Sequence, residues 1–282
     1  MIAAGALRWM GRQCFLFTES GDGVRIPRIY QPIPLASGQT FELDAQATVH
    51  LTKVLRLRAG DALVVFNGKG NGEDDGEFAA RVSAVGRRSA SIEIGEFASR
   101  SLESPLELVL LQGISRGERM DYTVQKAVEL GVSRIVPVLT ERTVVNLKGD
   151  RQEKRREHWQ GVVNSACEQS GRNRVPVVMP LVPFAAALTE VPDGLKLVLH
   201  HRAQTNLGSL PTPQGSVSLL VGPEGGLSAA EIAAAEVTGF VPLRLGPRVL
   251  RTETAALATL SVLQWQWGDF VDANAGEAGG AA

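Results

Sequence analysis

The chain has 282 residues, 44% hydrophobic and 21% charged, with a formal net charge of -1. That profile suits a globular protein with room for two ordinary domains, and it excludes a global field that draws in polyanions, so any nucleic-acid surface must be a local patch. Two cysteines, Cys14 and Cys167, and four histidines at 50, 158, 200 and 201 exclude a disulfide framework and show no metal-ligand spacing.

Residues 1–23 hold an apolar stretch cut by Arg8 and Arg12, a poor signal peptide. They read as a disordered extension or an upstream start. No apolar run approaches the ~20 residues of a membrane helix. From Val24 to about residue 98 the pattern is strand-like. "ATVHLTKVLRLRAG" (47–60) reads as one short helix. "ALVVFNG" (62–68), "GEFAARVSAVG" and "SASIEIGEF" read as strands separated by Gly and Asn turns. Several short strands and one helix predict a small β-barrel domain over 24–98, with a linker at 99–105 closed by Pro105.

From 106 to 270 strands and helices alternate. "LELVLLQGI", "SRIVPVL", "LKLVLHH", "VSLLVG" and "FVPLRLG" are strands. "GERMDYTVQKAVELG", "RQEKRREHWQGVVNSACEQSG", "AAEIAAAEVTG" and "TETAALATLSVLQWQW" are helices, with Gly131 fitting a left-handed C′ position. The alternation predicts an α/β domain with a parallel sheet covered on both faces. Residues 271–282 are mostly small and read as a disordered tail.

In open parallel sheets, ligands sit beyond the carboxyl ends of the strands. Three strand ends here are elaborated: "LVLHHRA" (197–203), "LLVGPEGGLSAAEI" (219–232) and "LRLGPRVLRTETA" (243–255). The second matches neither a P-loop nor G-x-G-x-x-G. Ser228 and Glu231 are spaced as a capping box, which occupies the helix end, and Glu224 repels phosphate. Gly222, Gly225 and Gly226 therefore suit close approach to a neutral or cationic ligand, such as an adenosine carrying a sulfonium. In the third, Thr252 is placed as an N-cap.

"LLVGPEGGLSAAEI" followed by "LGPRVLRTETAAL" resembles the ribosomal RNA small subunit methyltransferase E family of the SPOUT superfamily. "RIPRIY" (25–30), "HLTKVLRLRAGD" (50–61), "ISRGERMDYTVQKAVELGV" (114–132) and "ACEQSGRNRVP" (166–176) resemble further family segments in the same order. The resemblance implies a PUA-like β-barrel, then a SPOUT-type α/β domain with a deep trefoil knot. It implies a cytoplasmic homodimer that binds S-adenosylmethionine (SAM) in the knot and methylates N3 of one uridine in 16S rRNA, without a metal. It assigns the cofactor pocket to Leu199 and His200; to Val221, Gly222, Glu224, Gly225 and Gly226; and to Leu245, Gly246, Leu250, Arg251 and Thr252.

Residues 142–174 hold eight Lys/Arg against four Asp/Glu. Arg151–Glu157 mixes signs and reads as a solvated helix face, whereas Arg172 and Arg174 suit RNA phosphates, as do Arg116 and Arg119 in "SRGERM". Uridine N3 carries a proton near neutral pH, so the site must remove it or stabilise the anion that forms. Arg251 is the candidate stabiliser, and Glu253 or Glu224 the candidate base or orienting group, with His200 a further base. The alternative is a structural Arg251–Glu253 pair with the proton leaving to water. Lys126 and Glu129 read as a structural pair, Cys167 as a buried small hydrophobe, and Trp265 and Trp267 as packing residues or part of a dimer face.

Three other functions compete with this one. A nicotinamide enzyme requires an early G-x-G-x-x-G that is absent. A non-catalytic RNA-binding or assembly protein predicts a basic chain rich in aromatics, whereas aromatics here are 5%. A related SPOUT methyltransferase with another RNA target is the third.

Overall fold

The computed structural model describes residues 26–144 and 149–271. The expected extension at 1–23 and the tail from 272 onward lie outside them. The chain divides into two compact units. One comprises the residues up to Leu102 together with Glu168–Arg174, and the other Glu103–Cys167 together with the residues from Val175 onward. The sequence pattern places 168–174 with the second domain, but this short return segment groups with the first unit.

The first unit contains β1 (Arg28–Tyr30), β2 (Thr40–Glu42), α1 (Ala45–Val49), β3 (Ala62–Phe66), β4 (Gly76–Val85) and β5 (Ala90–Ser99). Its sheet runs β1-β3-β4-β5-β2, antiparallel except for β1 on β3. Alternating residues of β4 and β5 fill a core with Leu51, Leu63 and Val65. The helix expected over 47–60 starts at Ala45, where the Asp44 carboxylate accepts from the Ala47 N–H. It continues as a π-helical turn, His50–Val54, and stops before Arg56, whose φ of 57° no helix tolerates.

On the edge strand β1, Arg28 forms a buried hub. It pairs with Glu77 and donates to the Arg172 carbonyl at 3.0 Å and to Asn173 Oδ1 at 2.8 Å. Asn173 in turn donates to the Arg100 carbonyl at 3.0 Å, and the Tyr30 N–H donates to Glu168 at 2.9 Å. A buried charge is tolerated only when paired and hydrogen-bonded, and the return segment supplies several of those bonds.

The second unit follows the predicted alternation. Its elements are β6 (Leu108–Gly113), α2 (Glu118–Glu129), β7 (Val132–Leu139), α3 (Asp150–Ser170), β8 (Val177–Val178), β9 (Val182–Pro183), α4 (Phe184–Thr189), β10 (Gly194–Leu199), β11 (Ser216–Val221), α5 (Ala229–Val237), β12 (Val241–Leu243) and α6 (Thr252–Trp267). The last turn of α3 belongs to the return segment. Every strand pair is parallel, and the order is β12-β10-β11-β6-β7-β8, with β9 also on β7. β6 and β11 are buried along their full length, as strands covered on both faces are. Val109, Leu111, Val198 and Leu220 meet Ala187, Leu188, Ile232 and Ala235 from α4 and α5 on one face. α2 and α6 pack on each other, and α6 also packs on β11.

Gly131 follows α2 with φ 83°, the left-handed C′ position expected, and its N–H bonds to the Val128 carbonyl at 3.0 Å. Gln264, fully buried on α6, donates to the Leu130 carbonyl at 2.9 Å and accepts from Ser104 at 2.7 Å.

Candidate functional site

β12, β10 and β11 are neighbours at one side of the parallel sheet, so the loops leaving their carboxyl ends converge. Together they line a cavity of about 490 Å³. The end of β10 and the loop after it contribute Leu199, His200 and His201. The end of β11 and its loop contribute Val221, Gly222, Glu224, Gly225 and Gly226, and the loop after β12 with the first residue of α6 contributes Leu245, Gly246, Arg248, Leu250, Arg251 and Thr252. All twelve residues assigned to the cofactor pocket from sequence therefore line one cavity, with Glu253 and Arg119 beside them.

The glycine loop has three causes for its shape. Gly226 sits at φ 68°, and a side chain there would enter open space at the cavity. A Cβ on Gly222 would lie 2.9 Å from the Gly226 carbonyl carbon, and one on Gly113 would lie 2.6 Å from Pro223 Cδ, so the turn folds tightly on itself and on the end of β6. Finally, Ser228 and Glu231 form the expected capping box, with mutual bonds of 3.2 and 2.9 Å.

Neighbouring loops grip the turn from outside. Glu224 Oε1 accepts from the Arg116 N–H at 2.9 Å and from Arg119 at 3.3 Å. Arg142 donates to the Gly225 carbonyl at 2.8 Å, and the Glu141 N–H donates to Glu231 at 2.8 Å. Burial works to raise the Glu224 pKa, but the Arg116 N–H and the Arg119 guanidinium outweigh it and hold the carboxyl below its ordinary range. Glu224 is thus an ionised tie whose lowered pKa makes it a weak proton acceptor. Arg142 is a site residue that sequence reasoning misses. Its only sequence signal is membership of a basic stretch, which carries no address in space.

Thr252 departs from the N-cap role expected of it. Arg251 is the N-cap, without a side-chain bond, and Thr252 is the first helical residue. Its buried hydroxyl donates to the Gly222 carbonyl at 2.6 Å and accepts from Gln112 Nε2 at 3.0 Å. The long β12–α6 loop lets the helix begin one residue earlier, and the hydroxyl gains a more valuable acceptor across the site.

Among the described residues, no ion pair joins Arg251 to Glu253, and the Arg251 guanidinium has no acceptor. Glu253 Oε2 is buried without a hydrogen-bond partner. His200 is half-buried; burial, helped by His201 and Arg202, lowers its pKa against the opposing charge of Glu236, so its imidazole is neutral at physiological pH.

The residues expected to meet RNA separate. Arg116 and Arg119 are exposed near the cavity. Arg174 is exposed in the first unit and pairs with Asp75 at 2.6 Å. Arg172 differs from its expected exposure: at 5% it is buried within that unit rather than open to solvent. The bland readings of Lys126–Glu129, paired at 2.8 Å, and of buried Cys167 match the structure. Trp265 is 63% exposed and is no packing residue within this chain.

A family model described as an RNA methyltransferase domain matches residues 102–264, and one described as an RNA methyltransferase PUA domain matches 43–95. The ribosomal RNA small subunit methyltransferase E of Buchnera aphidicola (subsp. Schizaphis graminum) is 36% identical over 248 residues, covering 87% of this chain and 98% of the relative. Its counterpart in Bacillus subtilis is 31% identical, covering 80% and 90%. A solved ribosomal RNA small subunit methyltransferase E from Neisseria gonorrhoeae, bound to S-adenosyl methionine, is 41% identical with a TM-score of 0.80, covering 88% of this chain and all of that one. A Legionella pneumophila methyltransferase structure with SAM bound has the same identity and coverage and a TM-score of 0.84.

Proposed function

The chain belongs to the ribosomal RNA small subunit methyltransferase E family, and on that premise we propose that it transfers a methyl group from SAM to N3 of one uridine in 16S rRNA of the small ribosomal subunit. The observation that carries this reading is the convergence of three elaborated loops on one glycine-walled cavity in a chain 41% identical to SAM-bound proteins. The residues present fit the cofactor. Leu199, Leu245 and Leu250 offer apolar contact for an adenine, the glycine backbone permits close approach, and the Glu253 carboxylate on the cavity wall is a candidate acceptor for a hydroxyl or for the proton at N3.

When bound, SAM supplies a methyl carbon activated by a sulfonium. The protein's task is to hold the uracil in line and deal with the N3 proton. Arg251, whose guanidinium has no internal acceptor among the described residues, stabilises negative charge on a uracil carbonyl oxygen. The proton passes to the Glu253 carboxylate or to the neutral His200 imidazole. Glu224 keeps the glycine loop in place through the Arg116 N–H and Arg119. No early dinucleotide fingerprint competes with this reading, and a purely RNA-binding role leaves the cavity without a purpose.

The proposal extends to the chain path and the assembly. α6 leaves the β12 edge, clasps Gly222 through Thr252, and packs on α2 and β11, which supports a trefoil-knotted SPOUT topology. Exposed Trp265 on α6 and Tyr122 on α2 support a homodimer through that side, in the cytoplasm where ribosomes are assembled. The first unit, with Arg174, adds grip on RNA.

Calorimetry with SAM, followed by incubation of the protein and labelled SAM with small subunits lacking the modification, tests the reading. Saturable binding and label on one 16S uridine at N3 are expected. Absence of both binding and transfer overturns it, and label on another RNA assigns a different target.

A further inference from the structure

The loop between β12 and α6 carries more positive charge than the chemistry above uses. Arg244, Arg248 and Arg251 all line the cavity, all are exposed, and none has a side-chain acceptor among the described residues. This contrasts with Arg119 and Arg142 on the same cavity, which are tied to Glu224 and to the Gly225 carbonyl. Between these arginines sits Val249, 80% exposed although apolar and also facing the cavity. The loop backbone is fixed independently of these side chains. The Arg244 N–H bonds to the Thr205 carbonyl at 3.0 Å, Gly246 turns at φ 66°, and Thr252 anchors the far end. Three like charges within so short a loop repel one another, and an anion relieves that repulsion.

We propose that this loop is the lip that receives the target nucleotide, with Arg244 and Arg248 binding the RNA phosphates flanking it and Val249 packing against its base or sugar. The proposal rests on the methyltransferase reading and assigns it a substrate-positioning site. The anion chemistry alone also suits the single carboxylate of the cofactor. With Arg251 on the uracil, Arg244 and Arg248 together still exceed what one carboxylate needs, whereas an RNA backbone presents a phosphate at every nucleotide. A base taken out of its stack also requires an apolar contact at the mouth, which Val249 supplies.

The test compares the wild-type chain with Arg244→Ala/Arg248→Ala, Arg248→Lys and Val249→Ser. The readouts are SAM affinity by calorimetry and the KM for unmodified small subunits across a monovalent salt series. The double variant is expected to keep SAM affinity within about twofold and to raise the RNA KM at least about tenfold. Its dependence of log KM on log salt should flatten by about 0.7–0.9 for each phosphate that is no longer neutralised. Arg248→Lys should keep most of the salt slope. Val249→Ser should raise KM with the slope intact, because no charge is removed. An unchanged RNA KM and slope in the double variant overturns the proposal. So does a weakened SAM affinity with an unchanged RNA KM, which assigns the arginines to the cofactor carboxylate. If the wild-type chain transfers no label at all, it is the function reading that falls instead.

Discussion

Gly226 and Arg251 show how differently two residues of one cavity depend on their surroundings. Gly226 holds a left-handed backbone with open space where a Cβ would stand, so the obstacle to a side chain is conformational and functional rather than a clash. Gly226→Asp is expected to leave the protein folded, because aspartate tolerates this region better than most residues. It should abolish SAM binding, since the carboxylate would project into the cavity; unchanged affinity by calorimetry means the loop is misassigned. The Arg251 guanidinium has no acceptor among the described residues, so Arg251→Ala orphans no structural partner. Turnover should fall at least about 100-fold with SAM affinity largely kept, the range for removing one preorganised donor. His200 gives a pH prediction. A base works only when unprotonated, and its pKa lies below the ordinary 6.5, so the acid limb of kcat/KM should fall below that pH. If His200 is the acceptor, His200→Gln removes that limb. If the limb persists, His200 is not the acceptor.

At the scale of elements, the clasp from Thr252 to Gly222 joins the start of α6 to the loop after β11. Thr252→Val keeps the shape and removes the hydroxyl, leaving a buried carbonyl and the Gln112 amide without that partner. A loss of about 1–3 kcal/mol in denaturant unfolding is expected, together with weaker SAM binding. The sequence announced much of this level. The capping box at Ser228 and Glu231, the C′ glycine at 131 and the long apolar strands are local signals, and local physics decides them. What it hid was non-local. Thr252 matches a cap by type and position, yet its hydroxyl finds a stronger acceptor far earlier in the chain. Arg142 has no motif, because its value comes only from lying beside Gly225. β8, β9 and α4 are two to six residues long, too short for a period to register, and exist through pairing with β7 and packing on its face.

At the scale of the molecule, the exposure of Trp265 sets aside the packing role and leaves the dimer-face reading. A tryptophan 63% exposed near the end of a helix whose other face is buried marks an interaction surface more than a core. Trp265→Glu should convert the proposed dimer to monomer in sedimentation or light scattering, with the SAM site of each chain intact. An unchanged mass removes Trp265 from the interface. The return segment was equally hidden from sequence. "ACEQSGRNRVP" advertised Arg172 as an RNA contact because basic residues past a helix usually face solvent. The hub at Arg28 instead takes its backbone carbonyl and the amide of Asn173 inward.

That hub has a consequence for how the protein is made. A ribosome delivers the last strand of the first unit, which ends at Ser99, well before it delivers Glu168–Arg174. During that interval Arg28 and the Tyr30 N–H wait without several of their native acceptors. The amino-terminal module therefore lacks part of its native bonding while it emerges. Its completion is tied to synthesis of α3, so the chain finishes its first unit only after it has begun its second.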